Sequence, residues 1–319
     1  MNKINNDVWK LLEDLANKKG INEIVINRPN AVFVEREGQF IQLNVKISES
    51  SVEEFVRNVA EDNQKKFNAD WALFDGRLPD GSRINIVGPP YVEKFPAITI
   101  RKYIKTIKSF QQNPHVFGLG DKWVEFMQAL VHGRFNVMVS GGTGVGKTTL
   151  MNLLLNELSP EERVVTIEDT LELNFNVPNL VRLEAAGKVI ASDTTLNARD
   201  LVKNTLRMRP DRIIIGEVRG GELFDLLQVM NTGHEGSMSS VHANSPGECL
   251  SRMETLFLMS GHDLPYHVVR RQIASAVDFI IQIKRNRQGE RVISQMSELT
   301  GMEQDRILMQ DVAVHSRED

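Results

Sequence analysis

The chain carries a single cysteine, Cys249. A lone thiol excludes an intramolecular disulfide, and with no cationic sequence neighbours it reads as a small buried helix residue rather than a reactive group. The opening Met-Asn-Lys-Ile-Asn-Asn-Asp lacks the apolar core of a signal peptide. No stretch approaches the roughly 18 consecutive apolar residues of a membrane span. A reducing cytosol is the expected compartment. A basic surplus is missing too: the formal net charge is −4, residues 1–104 are balanced in sign, and the acidic excess lies beyond them. No nucleic-acid partner is therefore expected. Lys102, Lys105, Lys108 and Lys284-Arg285-Asn286-Arg287 are local exceptions; solvated loops are the simple reading, a membrane-side or protein contact the alternative. Internal repeats and low-complexity tracts are also absent.

What is present is a soluble globular composition, 41% hydrophobic and 25% charged over 319 residues, enough for one large or two ordinary domains. Residues 1–104 predict a compact α+β domain. Asp7 can cap a helix facing inward through Val8, Leu11, Leu12 and Leu15, and Ser51 with Glu54 has the pattern of a capping box for a second. Strands are predicted at 23–26, 32–35, 40–45, 83–87 and 98–100, the second and third forming a hairpin around residues 36–39. Residues 105–120, polar and broken by Pro114, Gly118 and Gly120, read as a linker. Beyond Asp121, a plausible N-cap, helices and strands alternate: helix to His132, strand 135–140, helix 147–157, strand 163–168, helix 195–208, strand 212–216, helix 222–232, strand 237–241. That order predicts an α/β domain over 121–319 whose mainly parallel sheet is covered on both faces and binds ligands at the strands' carboxyl ends.

The chemistry starts at such an end. Gly141-Gly142-Thr143-Gly144-Val145-Gly146-Lys147-Thr148 matches the G-x-x-x-x-G-K-[ST] phosphate-binding loop between a strand and a helix. Glycines let backbone N–H groups turn toward phosphate oxygens, the helix start adds positive potential, Lys147 reaches the β- and γ-phosphates, and Thr148 offers a hydroxyl to Mg²⁺. A nucleotide hydrolase also needs a carboxylate at a neighbouring strand end to hold Mg²⁺ or orient water. The strand 212–216 ends without the usual Asp: Gly216 stands there, so Glu217 takes the role alone or shares it with Glu168, Asp169 or Glu172. His234 and His242 bracket the strand 237–241, where an imidazole could sense a γ-phosphate. Their spacing of eight, without further ligands, disfavours zinc.

Taken together, the phosphate loop with Thr149, Thr166-Ile167-Glu168-Asp169, the run from Leu206 to Gly220, and Met230 to Ser237 followed by Val241-His242-Ala243-Asn244-Ser245 resemble the Walker A, Asp box, Walker B and His box of type II/type IV secretion and pilus ATPases. The wording is most similar to the CpaF/TadA type of tight-adherence pilus motor, and the likeness extends to Leu78 to Arg83 and Thr99 to Lys102. The resemblance implies a RecA-like ATPase domain behind a small α+β domain, ATP and Mg²⁺ as cofactors, and a homo-hexamer. It further implies recruitment to the inner face of the bacterial inner membrane by a platform protein, with peripheral membrane association only through partners.

Within the resemblance Glu217 is the catalytic glutamate, Glu168 the Asp-box acid near metal and water, His234 and His242 the His-box residues, and Thr148 with Glu217 and Glu168 the Mg²⁺ set. Arg83 and Arg101 correspond to arginines that reach the phosphates, a surface salt bridge being their alternative. The chain starts without the longer N-terminal extension of many members, which reads as truncation or loss of a docking segment. A Mg-dependent motor for pilus assembly or export is the expected function; a nucleotide-gated docking subunit of little activity and a DNA translocase are the alternatives.

Overall fold

The computed structural model describes residues 6–16, 18, 20–36, 39–63, 67–68, 72–102, 109–112, 115–185 and 196–315. The turn of the expected 36–39 hairpin, Lys105, Lys108, Pro114 and residue 195, the first of the helix expected there, lie outside the described residues. Two compact units, Met1–Lys105 and Thr106–Asp319, account for the fold.

The first unit runs α1 (Asp7–Ala16), β1 (Ile21–Arg28), β2 (Ala31–Arg36), β3 (Gln39–Gln42), α2 (Glu49–Asp62), β4 (Leu73–Arg77), β5 (Arg83–Val87) and β6 (Ala97–Arg101). Its six strands form one antiparallel sheet in the order β3-β2-β1-β6-β5-β4. Alternate residues such as Ile24, Ile26, Ile84, Ile86, Ile98 and Ile100 share one core with the apolar faces of α1 and α2. Both helix starts differ from the sequence reading. Asn6, one residue before Asp7, caps α1 by accepting from the Val8 amide (2.9 Å), while Asp7 accepts from the Ser48 amide and hydroxyl (3.1 and 2.9 Å). Ser48, extended at φ −72° and ψ 145°, caps α2 by accepting from Ser51 N; Ser51 is already helical. The strand at 73–77 was not expected, because Leu-Phe-Asp-Gly-Arg carries two poor strand formers at its centre.

The second unit runs α3 (Asp121–His132), β7 (Val137–Gly141), α4 (Lys147–Leu155), β8 (Arg163–Glu168), β9 (Asn179–Glu184), α5 (Ala198–Thr205), β10 (Arg212–Ile215), α6 (Glu222–Asn231), β11 (Met238–Val241), α7 (Pro246–Leu258), α8 (Tyr266–Ala276), β12 (Phe279–Arg285), β13 (Arg291–Glu303) and β14 (Arg306–Val314). Gly120, not Asp121, occupies the N-cap of α3, which puts the Asp121 carboxylate in the first turn, where the helix dipole favours it. The sheet order is β14-β13-β12-β7-β11-β10-β8-β9. Pairing is parallel from β12 to β9, and β13 and β14 add antiparallel.

Separate apolar cores fill the two faces of this sheet, one containing α3 and α4 residues, the other residues of α5 to α8. The described part of the stretch read as a linker is folded. Phe110, Val116, Phe117 and Leu119 are buried in the α3–α4 core, and burying them outweighs the polarity of the residues between. Parallel register fixes where ligands can bind: Ser140 lies opposite Val241, and Ile215 opposite both Ser239 and Ile167. The ends of β7, β8, β10 and β11 therefore open on one edge of the sheet.

Candidate functional site

At that edge β7 delivers Gly141, and the chain turns through the loop into α4. Gly146 caps the helix in a left-handed conformation, φ +104°, which a side chain would resist. The first amides of α4 have no intrahelical acceptor and face outward, as anion binding requires. Lys147 is 8% exposed. Its ammonium donates to the carbonyls of Gly141 (3.1 Å) and Gly142 (3.2 Å), lies 3.3 Å from either ring nitrogen of His242, and pairs with Glu217 Oε1 at 3.4 Å.

Glu217, two residues past the end of β10, is the hub. Its Oε1 meets His242 Nε2 at 2.7 Å as well as Lys147, and its Oε2 accepts from Arg219 Nε at 2.6 Å. Arg219 also reaches Asp169 Oδ2 at 3.1 Å, tying the ends of β8 and β10. The side chain of Arg219 is more than half exposed, so its pair with Asp169 contributes little to stability and serves to place Glu217. Burial lowers the His242 imidazole from its ordinary value, Glu217 opposing and Lys147 reinforcing. A neutral ring then donates from Nε2 to Glu217 and offers Nδ1 to Lys147.

Glu168 is buried, 4% exposed, at the end of β8. Its Oε1 accepts from the amides of Glu172 (2.7 Å) and Leu173 (2.8 Å), its Oε2 has no hydrogen bond, and Arg182 stands 3.8 Å away. Desolvation raises its pKa to about 7, the two amides and Arg182 pulling the other way. This arrangement gives Gly216 a structural reason. A Cβ there would lie 3.0 Å from Glu168 Cγ, so a side chain at position 216 would crowd the acid of the neighbouring strand. Thr148 Oγ1 donates to Glu172 Oε2 at 3.3 Å, and the Glu172 amide binds Glu168, so the two carboxylates and the hydroxyl are consecutive links of one network.

These residues fit a magnesium nucleotide. Mg²⁺ keeps several waters and takes few protein ligands besides phosphate, and Thr148 with Glu172, Glu168 and Glu217 supplies oxygen donors of that kind. The unpartnered buried Oε2 of Glu168 is a further acceptor in this network.

The two histidines separate. His242 follows β11 and sits in the Lys147–Glu217 cluster. His234 precedes β11 at the opposite edge of the sheet, at least the strand's four residues, about 13 Å, away. Its carbonyl accepts from Ser237 Oγ at 2.7 Å and its Nδ1 is buried without a hydrogen-bond partner. As the sequence places them on either side of one strand, the two imidazoles lie at opposite edges of the sheet within this chain. Arg83 and Arg101 are direct cross-strand partners on β5 and β6, on the sheet face away from the Ile84 and Ile100 core.

Four residues of the site region escaped sequence reading as functional groups. Arg219 could have been noticed from its place two residues after Glu217. Arg182, Arg285 and Arg291 arrive from distant strands and left no local signal; Arg285 belonged to a cluster read as solvated, yet donates to the Gly144 carbonyl at 3.3 Å. Cys249 is buried on α7, and desolvation pushes its thiol up to about 12, as an inert core residue requires.

Comparison with known proteins identifies the family. The family model described as "Type II/IV secretion system protein" matches residues 6–315, and the chain belongs to that family. A putative conjugal transfer protein of Mycobacterium tuberculosis is 32% identical over 296 residues, covering 91% of this chain and 84% of the relative. The VirB11 ATPase of the Brucella suis type IV secretion system, solved with sulphate, is 29% identical with a TM-score of 0.50 over 91% of this chain and 95% of that one. The pilus retraction motor PilT with bound ADP, at 21% identity and a TM-score of 0.64 over 90% and 80%, shares the RecA-like fold.

Proposed function

We propose that this secretion-family chain is a Mg-dependent ATPase whose assembled form, a homo-hexamer, drives transport or pilus assembly at the cytoplasmic face of a bacterial inner membrane. The observation that carries the reading is the contact set of Lys147. The lysine of a phosphate loop meets a strand-end carboxylate and an imidazole, so a γ-phosphate entering the loop exchanges with Glu217 for Lys147 and frees the carboxylate to orient water. Loss of that phosphate reverses the exchange. The conformational signal is thus which partner Lys147 holds, and a partner change of this kind shifts a two-state equilibrium. When bound, Mg²⁺ would supply neutralisation of phosphate charge; Thr148, Glu172 and Glu168 would hold it directly or through water, and Glu217 would orient the attacking water.

The test is phosphate release as a function of Mg²⁺ and of protein concentration. A rate per chain that rises with concentration as rings form supports a shared site; a strictly linear total rate down to monomer refutes it. Arg83 and Arg101 are the proposed trans-acting groups. Mixing inactive Lys147→Ala with Arg101→Ala chains regenerates activity if the arginine serves a neighbour's phosphates, and leaves it absent if it does not. A platform protein at the membrane is the proposed partner; turnover with and without membranes separates a motor from a docking subunit of little activity.

A further inference from the structure

The His242 ring meets Lys147 and Glu217, the two groups that a γ-phosphate would separate. Ring contacts that exchange cannot also fix the backbone that carries the ring. A strand that is not a neighbour of β11 supplies the hold. β7 lies between β11 and β12, and Val241, Ser140 and Gln282 stand in one register row across the three. The row is on the sheet face covered by α5 to α8: Met138 and Ile280, two residues before Ser140 and Gln282, belong to that core, as do Val241 and Ala243. From β12 the Gln282 side chain passes over β7, and its Nε2 donates to the Ala243 carbonyl at 3.2 Å. Ala243 directly follows His242.

Gln282 is 0% exposed, so its amide carries a desolvation cost that an apolar side chain would not. Nε2 donates a second time, to the Ile283 carbonyl at 3.3 Å, while Oε1 is buried with no hydrogen-bond partner. A half-satisfied amide is a poor way to fill a core, since methionine has similar length and no N–H or C=O to bury. What the amide adds is the bond to Ala243. The next residue, Ile283, faces the opposite core and pairs with Gly141 at the root of the phosphate loop, where a Cβ would meet the Ile283 carbonyl at 2.9 Å. Two consecutive residues of β12 therefore fix the loop and the His242 segment together. We propose that Gln282 is a positioning residue for hydrolysis, a strap behind the phosphate-loop strand that holds the His242 backbone while Lys147 and Glu217 exchange partners. This rests on the nucleotide-site reading above. Gln282 lies on the helix-covered face and acts only through His242.

The experiment is steady-state phosphate release beside ATP affinity, both with Mg²⁺, for the wild type, Gln282→Met, Gln282→Asn, His242→Ala and the two double variants. Gln282→Met removes the donor at similar length; Gln282→Asn keeps an amide one methylene shorter, out of reach of Ala243. Thermal unfolding midpoints establish which variants are folded, and the asparagine carries the comparison should the methionine fail to fold. Expected is a loss of kcat of roughly three- to ten-fold in each single variant, no larger than that of His242→Ala, with ATP affinity within about two-fold. In the His242→Ala background either substitution should lower kcat by less than about two-fold, because nothing is left to position. Unchanged kcat in a folded single variant, an equal loss with and without His242, or a loss of affinity that matches the loss of kcat overturns the proposal. A wild-type chain that does not hydrolyse ATP overturns the nucleotide-site reading and the role of Gln282 with it. A hydrolysing wild type beside a fully active Gln282→Asn overturns the role of Gln282 alone.

Discussion

The two edges of the second unit's sheet are built from similar residues and do different things. At the amino edge Arg212, 1% exposed, is anchored on several sides: its guanidinium binds Glu162 through two nitrogens and the carbonyls of Val131 (2.9 Å) and Gly236 (3.3 Å). Its Nη1 also occupies the space of a side chain at Gly236, 2.2 Å from where a Cβ would lie. At the carboxyl edge the cation is Lys147, whose partners Glu217 and His242 also bind one another. Arg212 keeps fixed partners in a tight cavity, whereas the partners of Lys147 also bind one another and, in the function proposed above, exchange it for phosphate. Buried charge alone does not distinguish them.

The contrast breaks most sharply at Lys147 and Glu217. Lys147→Ala should weaken ATP binding at least about a hundred-fold, because charge-assisted bonds to two phosphates are lost. Glu217→Gln should keep ATP affinity within a few-fold, since it also frees Lys147, while turnover falls roughly 10²- to 10⁴-fold. Titration calorimetry beside steady-state phosphate release decides it. Equal losses of affinity in both variants would mean that Glu217 is a binding group rather than a catalytic one.

Glu168 offers a test with a sign. Its carboxyl titrates near 7 in the folded chain against 4.5 for the unmodified group, so between those values the folded state holds more protons than the unfolded state. Stability contributed by this group is greatest below about pH 4.5 and declines as pH rises to about 7. Glu168→Gln removes that decline. The stability of the variant relative to wild type should rise across the interval by up to about 3 kcal/mol. Denaturant midpoints at several pH values measure it; a flat difference would show that Glu168 ionises as easily folded as unfolded.

Gly216→Ala probes the same pair sterically. The added methyl must displace a Glu168 side chain held by two amides, at a cost of about 1 to 3 kcal/mol by ordinary overpacking. A parallel loss of ATPase would follow from the shifted Glu172 and Thr148 contacts. If Gly216→Ala unfolds with wild-type midpoint and turns over normally, the fit between Gly216 and Glu168 is not what excludes a side chain there.

How much of this was legible in the sequence depends on how local the cause is. The phosphate loop, the strand before it and the helix after it are encoded within one short stretch, and Glu217 sits beside an apolar run that could only be a buried strand. β13 and β14, by contrast, lie beyond the last predicted strand, and Arg285 is placed by pairing with a strand more than a hundred residues earlier. Phe110 to Leu119 looked like a linker because four apolar residues among polar ones show no period of 2 or 3.6; only the α3–α4 core explains them. Ser48 and Asn6 were missed as caps because two serviceable capping residues stood nearby, and backbone conformation chose between them.

The smallest expected effect sharpens the comparison of edges most cleanly. His234 and His242 bracket one strand and belong to one motif of the family resemblance, and from the sequence either imidazole could sense a γ-phosphate. The structure gives only His242 a contact with Lys147 and Glu217. His242→Ala should therefore slow hydrolysis by roughly ten-fold while ATP affinity moves within a few-fold, since one neutral hydrogen bond contributes about 0.5–1.5 kcal/mol net to binding and more where it orients a catalytic carboxylate. His234→Ala, at the opposite edge and with an unpartnered Nδ1 to lose, should leave both ATP affinity and single-chain hydrolysis within about two-fold. Measuring the pair under dilute conditions, where chains do not assemble, tests the intrachain assignment. Repeating it with assembled protein then isolates any role His234 has toward a neighbouring copy: a defect that appears only on assembly places His234 at a junction between chains, whereas a defect already present in the dilute chain would mean that the amino edge couples to the phosphate loop through β11 itself.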